Sequence, residues 1–177
     1  APRVLAFHGF TGTPQEVTLV VDVARELGLG VEAPLLPGHG ARVSELAPTR
    51  FADWLAAAED HYARLAADGP VIVAGLSMGA LLAFHLAANH PESTLGVIAM
   101  ANAMWLKSPW PTWPLKLIDR LRLPDFWLSK SAPDLGDREQ RALHLTYNAQ
   151  PIRAAISLLR AGEELSEQLH RVHAPTL

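Results

Sequence analysis

The chain has 177 residues, 49% of them apolar and 19% charged, a balance that fits one globular core and excludes a disordered chain. With 15 basic residues against 18 acidic ones, a net charge of -3 and no basic cluster, nothing suggests an electrostatic footprint for nucleic acid or an anionic membrane, and a small neutral ligand fits better. Cysteine is absent, which removes disulfides, thiolate metal sites and a cysteine nucleophile together.

The opening APRVLAF has neither the basic start nor the cleavage site of a secretory signal, so it reads as a strand and a cytoplasmic location is the default expectation. Runs of Val, Ile and Leu without polar alternation recur at Arg3–Phe7, Val31–Leu35, Val71–Gly75 and Leu95–Ala101, as in strands covered on both faces of a parallel sheet. After the first, Thr13 as cap, Pro14 in the first turn and Glu16 three residues past the cap predict a helix. Its apolar face would be Val17, Val20, Val21, Ala24 and Leu27, and Gly28 and Gly30 would end it. A second helix places Phe51, Trp54, Leu55, Ala58, Tyr62 and Leu65 on one side. The third, Met78 to His90, is apolar on nearly every side and belongs in the interior. This alternation predicts right-handed βαβ units in an α/β, doubly wound, mostly parallel sheet.

After Ala101, prolines interrupt short amphipathic pieces that carry Trp105, Trp110, Trp113 and Trp127, four of the five tryptophans. A small helical insertion over the strand ends is expected here, followed by a helix from Ile152 to Val172 and, at APTL, the start of another strand. The divisions are residues 1–103 for the first part of the core, 104–150 for the insertion, and 151–177 for the core helix and next strand.

GLSMG, residues 75–79, lies between the apolar runs VIVA and ALLAFHLAA, and its G-x-S-x-G spacing is that of a nucleophile elbow. A strand that turns at once into a helix strains the apex residue and needs small neighbours two before and two after it, which Gly75 and Gly79 supply. The helix starting at Met78 aims N–H groups and its positive dipole end at the Ser77 oxygen. The pentapeptide alone is a weak signal; the strand before it and the helix after it make it specific. Two blander readings are a Gly-rich turn with Ser77 as a helix cap, and a membrane span over Val71–Ala88, which Gly75 and Gly79 interrupt. HGFTGTP, His8–Pro14, repeats the strand, loop and helix pattern at the end of the first strand. In a parallel sheet both loops open on the same edge, so the Phe10 N–H can join that of Met78 as an oxyanion hole.

HGFTGTP, LLPGHG at Leu35–Gly40, GLSMG, the aromatic insertion and the closing LHRVHAPTL span the whole length. In that order they resemble the α/β-hydrolase superfamily, and within it the bacterial carboxylesterases and monoacylglycerol lipases. One departure is Ala80, where relatives often carry another glycine. The resemblance implies a serine hydrolase with Ser77 as nucleophile, Phe10 and Met78 as oxyanion donors, and a cap over the acyl pocket. Trp105, Trp110, Trp113, Phe126 and Trp127 would bind the substrate, a small acyl ester or monoacylglycerol, with no cofactor and no metal. In such enzymes the acid follows the strand that APTL begins and the histidine follows the next, in the order Ser, Asp, His. Both positions lie beyond Leu177. The chain is therefore expected to be incomplete at its C-terminal end, to lack its own base, to be catalytically impaired, and to self-associate through an unpaired sheet edge.

Internal histidines offer no obvious substitute for that base. His8, before Gly9, reads as a structural hydrogen-bonder; His39 lies in a Gly-flanked turn; packing or solvent accounts for His61, His85 and His90. His170 and His173 are three apart but lack a third metal donor, and Asp119, Asp125, Asp134 and Asp137 read as helix caps. The tryptophans fit a small core beneath the cap as well as an acyl pocket. A thioesterase, a carbon–carbon bond hydrolase and a non-catalytic domain stay open as alternatives on the same scaffold.

Overall fold

The computed structural model describes residues 1–104, 127–129 and 149–177. The four apolar runs form strands β1 (Arg3–Phe7), β2 (Gly30–Glu32), β3 (Val71–Leu76) and β4 (Thr94–Met100), all parallel, in the order β2-β1-β3-β4. β2 stops at Glu32 rather than Leu35, since Pro34 has no N–H with which to continue a ladder. At the other edge, the Val97 N–H donates to the Pro175 carbonyl (2.9 Å) and the Leu177 N–H to Val97 (2.9 Å). Thr176 thus forms an isolated parallel bridge with Val97 of β4.

Helices lie on both faces. On one side α1 (Thr18–Glu26) packs over a small cluster of Ala6, Val17 and Ala74. On the other, α3 (Phe51–Ala66), α4 (Met78–Asn89) and α5 (Ile152–Gln168) enclose the main core, which takes Leu5, Phe7, Val71 and Val73 from the strands. Alternate residues of β1 and β3 thus feed opposite faces, which explains their unbroken hydrophobicity. Trp54 and Tyr62 of α3 are fully buried, each burial contributing about 2–3 kcal/mol, and the Tyr62 hydroxyl finds Ser93 Oγ (2.9 Å) and Thr94 Oγ1 (2.8 Å). Leu55, expected on the same face, is only half-buried at its margin.

The start of α1 differs from the sequence reading. Pro14–Val17 forms a 3-10 turn, Thr13 makes no side-chain cap bond, and the α-helix begins at Thr18. Glu16 does not close a capping box, because its carboxylate is drawn back to the buried Gly9 N–H (2.8 Å). Of the expected face, Val17 and Ala24 are buried, Val20 and Val21 are half-buried, and Leu27 is 69% exposed. The short helix α2 (Val43–Leu46) carried no periodic signal. The expected insertion is not wholly helical: β5 (Trp127–Ser129) pairs antiparallel with β6 (Ala149–Pro151), which leads into α5.

Candidate active site

Strand β3 passes into α4 within one residue, and Ser77 is that residue. Its backbone has φ 54° and ψ -110°, a region that costs about 1–3 kcal/mol and persists only where the surroundings impose it. The surroundings do so tightly. The Ser77 N–H is held by the Met100 carbonyl (2.9 Å); a Cβ on Gly75 would meet the Gly79 carbonyl at 2.1 Å, and one on Gly79 would meet the Phe7 carbonyl oxygen at 2.2 Å. The two glycines are therefore required by the closeness of α4 to β1 and β3. Ser77 is half-exposed and its side chain makes no capping hydrogen bond, which disposes of the helix-cap reading. Met78 opens α4, so its N–H has no intrahelical acceptor.

The HGFTG loop leaves β1 beside this turn, because Phe7 pairs with Gly75. A Cβ on Gly9 would lie 3.6 Å from Ser77 Cβ, which puts the loop against the serine. The Gly9 carbonyl accepts from the Gly12 N–H (3.1 Å) and from His8 Nδ1 (2.9 Å). Phe10 is half-buried, its ring tilted against Trp54 (5.5 Å) and edge-on to His39 (6.2 Å). The structure therefore brings Ser77, Met78 and the Phe10 loop to one place at the carboxyl ends of β1 and β3, the edge where parallel sheets bind ligands. Trp105, Trp110, Trp113 and Phe126 lie outside the described residues, and Trp127 is placed only as backbone of β5.

Two buried histidines support the loop. The Leu36 N–H donates to His8 Nε2 (3.1 Å), so Nε2 carries no proton and Nδ1–H is the donor to Gly9. With both ring nitrogens engaged, His8 has no lone pair for the Ser77 proton. Burial also lowers its pKa, against the opposing Gly9 bond. His39 donates Nδ1–H to the Pro37 carbonyl (3.1 Å), which also accepts from Trp54 Nε1 (3.0 Å) and so joins the LLPGHG loop to α3. Burial, then the nearby His8, push the His39 pKa down to about 4, too low for an effective base near neutral pH. His85 packs against Phe51, and burial lowers its pKa too. His61 contacts Glu32, while His90 pairs with Glu59 and stacks on Tyr62 (4.7 Å). Among the described residues no cluster has the makings of a metal site, and no helix is long and apolar enough to cross a membrane.

The sequence reading missed the Glu16 bond to Gly9 and the coupling of His8 to Leu36. Spacing hid the first, since a capping box places a glutamate in the same position and sends it toward the same preceding loop.

A parallel sheet between helices, with a strained serine at a strand-to-helix turn, defines an α/β-hydrolase. The family model described as serine aminopeptidase, S33 matches residues 1–177, and the chain belongs to that family. It is 30% identical over 175 residues to a thermostable monoacylglycerol lipase of Bacillus sp. (strain H-257), covering 98% of this chain and 67% of the lipase. A carboxylesterase of Bacillus subtilis (strain 168) is 33% identical over 107 residues, 59% of this chain and 43% of the esterase. Among solved structures, one described for the metagenome-derived lipolytic enzymes LipS and LipT superposes with a TM-score of 0.82 at 27% identity. It covers 99% of this chain and 69% of its own.

Proposed function

We propose that the protein is a serine hydrolase that cleaves carboxylic esters, either short- to medium-chain acyl esters or monoacylglycerols, through an acyl-enzyme on Ser77. The observation that carries this reading is the Ser77 backbone at φ 54°, its side chain left uncapped beside a glycine loop. Strain of this kind is not needed for a turn; it lifts a hydroxyl clear of its own helix. The likeness to a monoacylglycerol lipase and a carboxylesterase supports the choice of bond.

The proposed chemistry runs in two halves. Ser77 Oγ attacks the ester carbonyl carbon while its proton passes to a base, and the carbonyl oxygen becomes an oxyanion facing the Phe10 and Met78 N–H groups. Collapse, with the base returning its proton to the leaving oxygen, expels the alcohol and leaves the acyl group on Ser77. Water repeats the attack, releasing the acid and restoring the serine. The aromatic side chains of Trp105, Trp110, Trp113, Phe126 and Trp127 suit an acyl-binding surface by their chemistry.

The test uses the protein expressed from its complete reading frame, assayed on p-nitrophenyl butyrate, a monoacylglycerol and a matched acyl thioester. Ser77→Ala is expected to lower kcat by about 10⁴-fold or more, and a fluorophosphonate probe to label Ser77. Retained turnover in Ser77→Ala, or labelling elsewhere, overturns the assignment. A preference for the thioester replaces the substrate class while keeping the nucleophile.

A further inference from the structure

The oxyanion loop contains a carboxylate for which the reaction itself has no use. Building on the reading of the Phe10 N–H as an oxyanion donor, we propose that Glu16 is a positioning residue: by fixing the peptide plane before Gly9 it holds the loop in the shape in which the Gly9 carbonyl's own bonds set the direction of this N–H. The Gly9 N–H donates to Glu16 Oε2 (2.8 Å), while the Gly9 carbonyl accepts from His8 Nδ1 (2.9 Å) and the Gly12 N–H (3.1 Å). A peptide unit is planar and trans, so the Gly9 C=O and the Phe10 N–H share one plane and point in opposite directions. Holding that carbonyl toward His8 and Gly12 therefore sets the line along which the Phe10 N–H emerges.

The carbonyl bonds fix the plane after Gly9, and the Glu16 bond fixes the plane before it. Without a Cβ, Gly9 alone would let either plane swing. The carboxylate fills the inside of the loop: a Cβ on Gly12 would come within 2.1 Å of Oε2, and one on Gly9 within 3.1 Å. Thr11, at the tip between these residues, has φ 66°, a strained value for a β-branched residue that needs such support. A negative charge near a developing oxyanion is by itself unfavourable, so Glu16 acts as a hydrogen-bond acceptor and not through its charge.

This separates the two amino acids that can replace it. In the protein expressed from its complete reading frame, Glu16→Ala is expected to lower kcat about 10- to 100-fold with KM changed less than about threefold. Affinity for a trifluoromethyl ketone, which forms the same oxyanion, should fall by the same factor as kcat. Glu16→Gln keeps an acceptor oxygen without the charge and is expected to hold kcat within about threefold of the parent. Gly12→Ala displaces the carboxylate sterically and should reproduce the Glu16→Ala loss; combined with Glu16→Ala it should add nothing further.

Parental kcat and inhibitor affinity in Glu16→Ala, or full additivity of the two substitutions, overturns the clamp. A Glu16→Gln loss as deep as that of Glu16→Ala also overturns it. If Glu16→Ala does not fold, Gly12→Ala decides alone, with parental kcat counting against the clamp. Turnover surviving in Ser77→Ala would instead sink the underlying hydrolase assignment, so the two failures are distinct.

Discussion

His39 is held neutral by a setting that suits a ring and not a cation: the rings of His8, Phe10 and Trp54 surround it, and it is 4% exposed. Its pKa is about 4 in the folded chain against 6.5 ordinarily, so between those values the unfolded chain binds more protons. Stability from this group is therefore full above about pH 6.5 and is lost as pH falls toward 4, a term on the order of 3 kcal/mol. His8 and His85 shift in the same direction through burial. The melting temperature is expected to fall steeply from pH 7 to pH 4.5, and His39→Phe, which keeps a ring but cannot titrate, should flatten that fall. Equal slopes in the two proteins would refute the assignment. At this scale a sequence reveals residue types but not the bonds of each atom. The place of Ser77 was legible because strand, turn and helix each left a separate mark; the engagement of both His8 nitrogens depends on Leu36, 28 residues away, and left none.

Helix α4 and strand β1 meet where backbone touches backbone. A methyl group at Gly79 would come within 2.2 Å of the Phe7 carbonyl oxygen and 2.8 Å of that of His8, and neither can move without shifting β1. Gly79→Ala is expected to cost more than about 3 kcal/mol in urea unfolding, or to prevent soluble expression. Gly96→Ala is the matched control, since its nearest neighbour, the Pro175 carbonyl, would lie at 3.6 Å, and it should change stability by less than about 0.5 kcal/mol. Comparable losses at the two positions would contradict the close-approach argument. Elements with strong periodicity were the legible ones: β1 and α3 start where their apolar patterns start. The 3-10 turn at Pro14–Val17 and the pairing of β5 with β6 were not, because a single turn and a three-residue strand carry too few side chains for a period.

Across the whole molecule the two faces of the sheet are unequally covered. Among the described residues, α3, α4 and α5 pack on one face and α1 on the other, where Leu19 (77% exposed), Leu27 (69%) and Val23 (45%) line a groove with Val4, Ile72 and Ile98. The strand pattern foretold a sheet covered on both sides; it carried no information on how completely each side is covered, since that depends on which helix lies where. Residues so apolar at an exposed helix face favour association, each leucine contributing about 1.5–2 kcal/mol when buried. The chain is therefore expected to self-associate through this face with rising concentration. The substitutions Leu19→Glu and Leu27→Lys place charges on the α1 face without touching the elbow, the loop or the edge. Sedimentation velocity over a concentration series should show them shifting the population toward monomer. Association that persists unchanged in the double variant, or a parent chain that stays monomeric at every concentration, would refute this route.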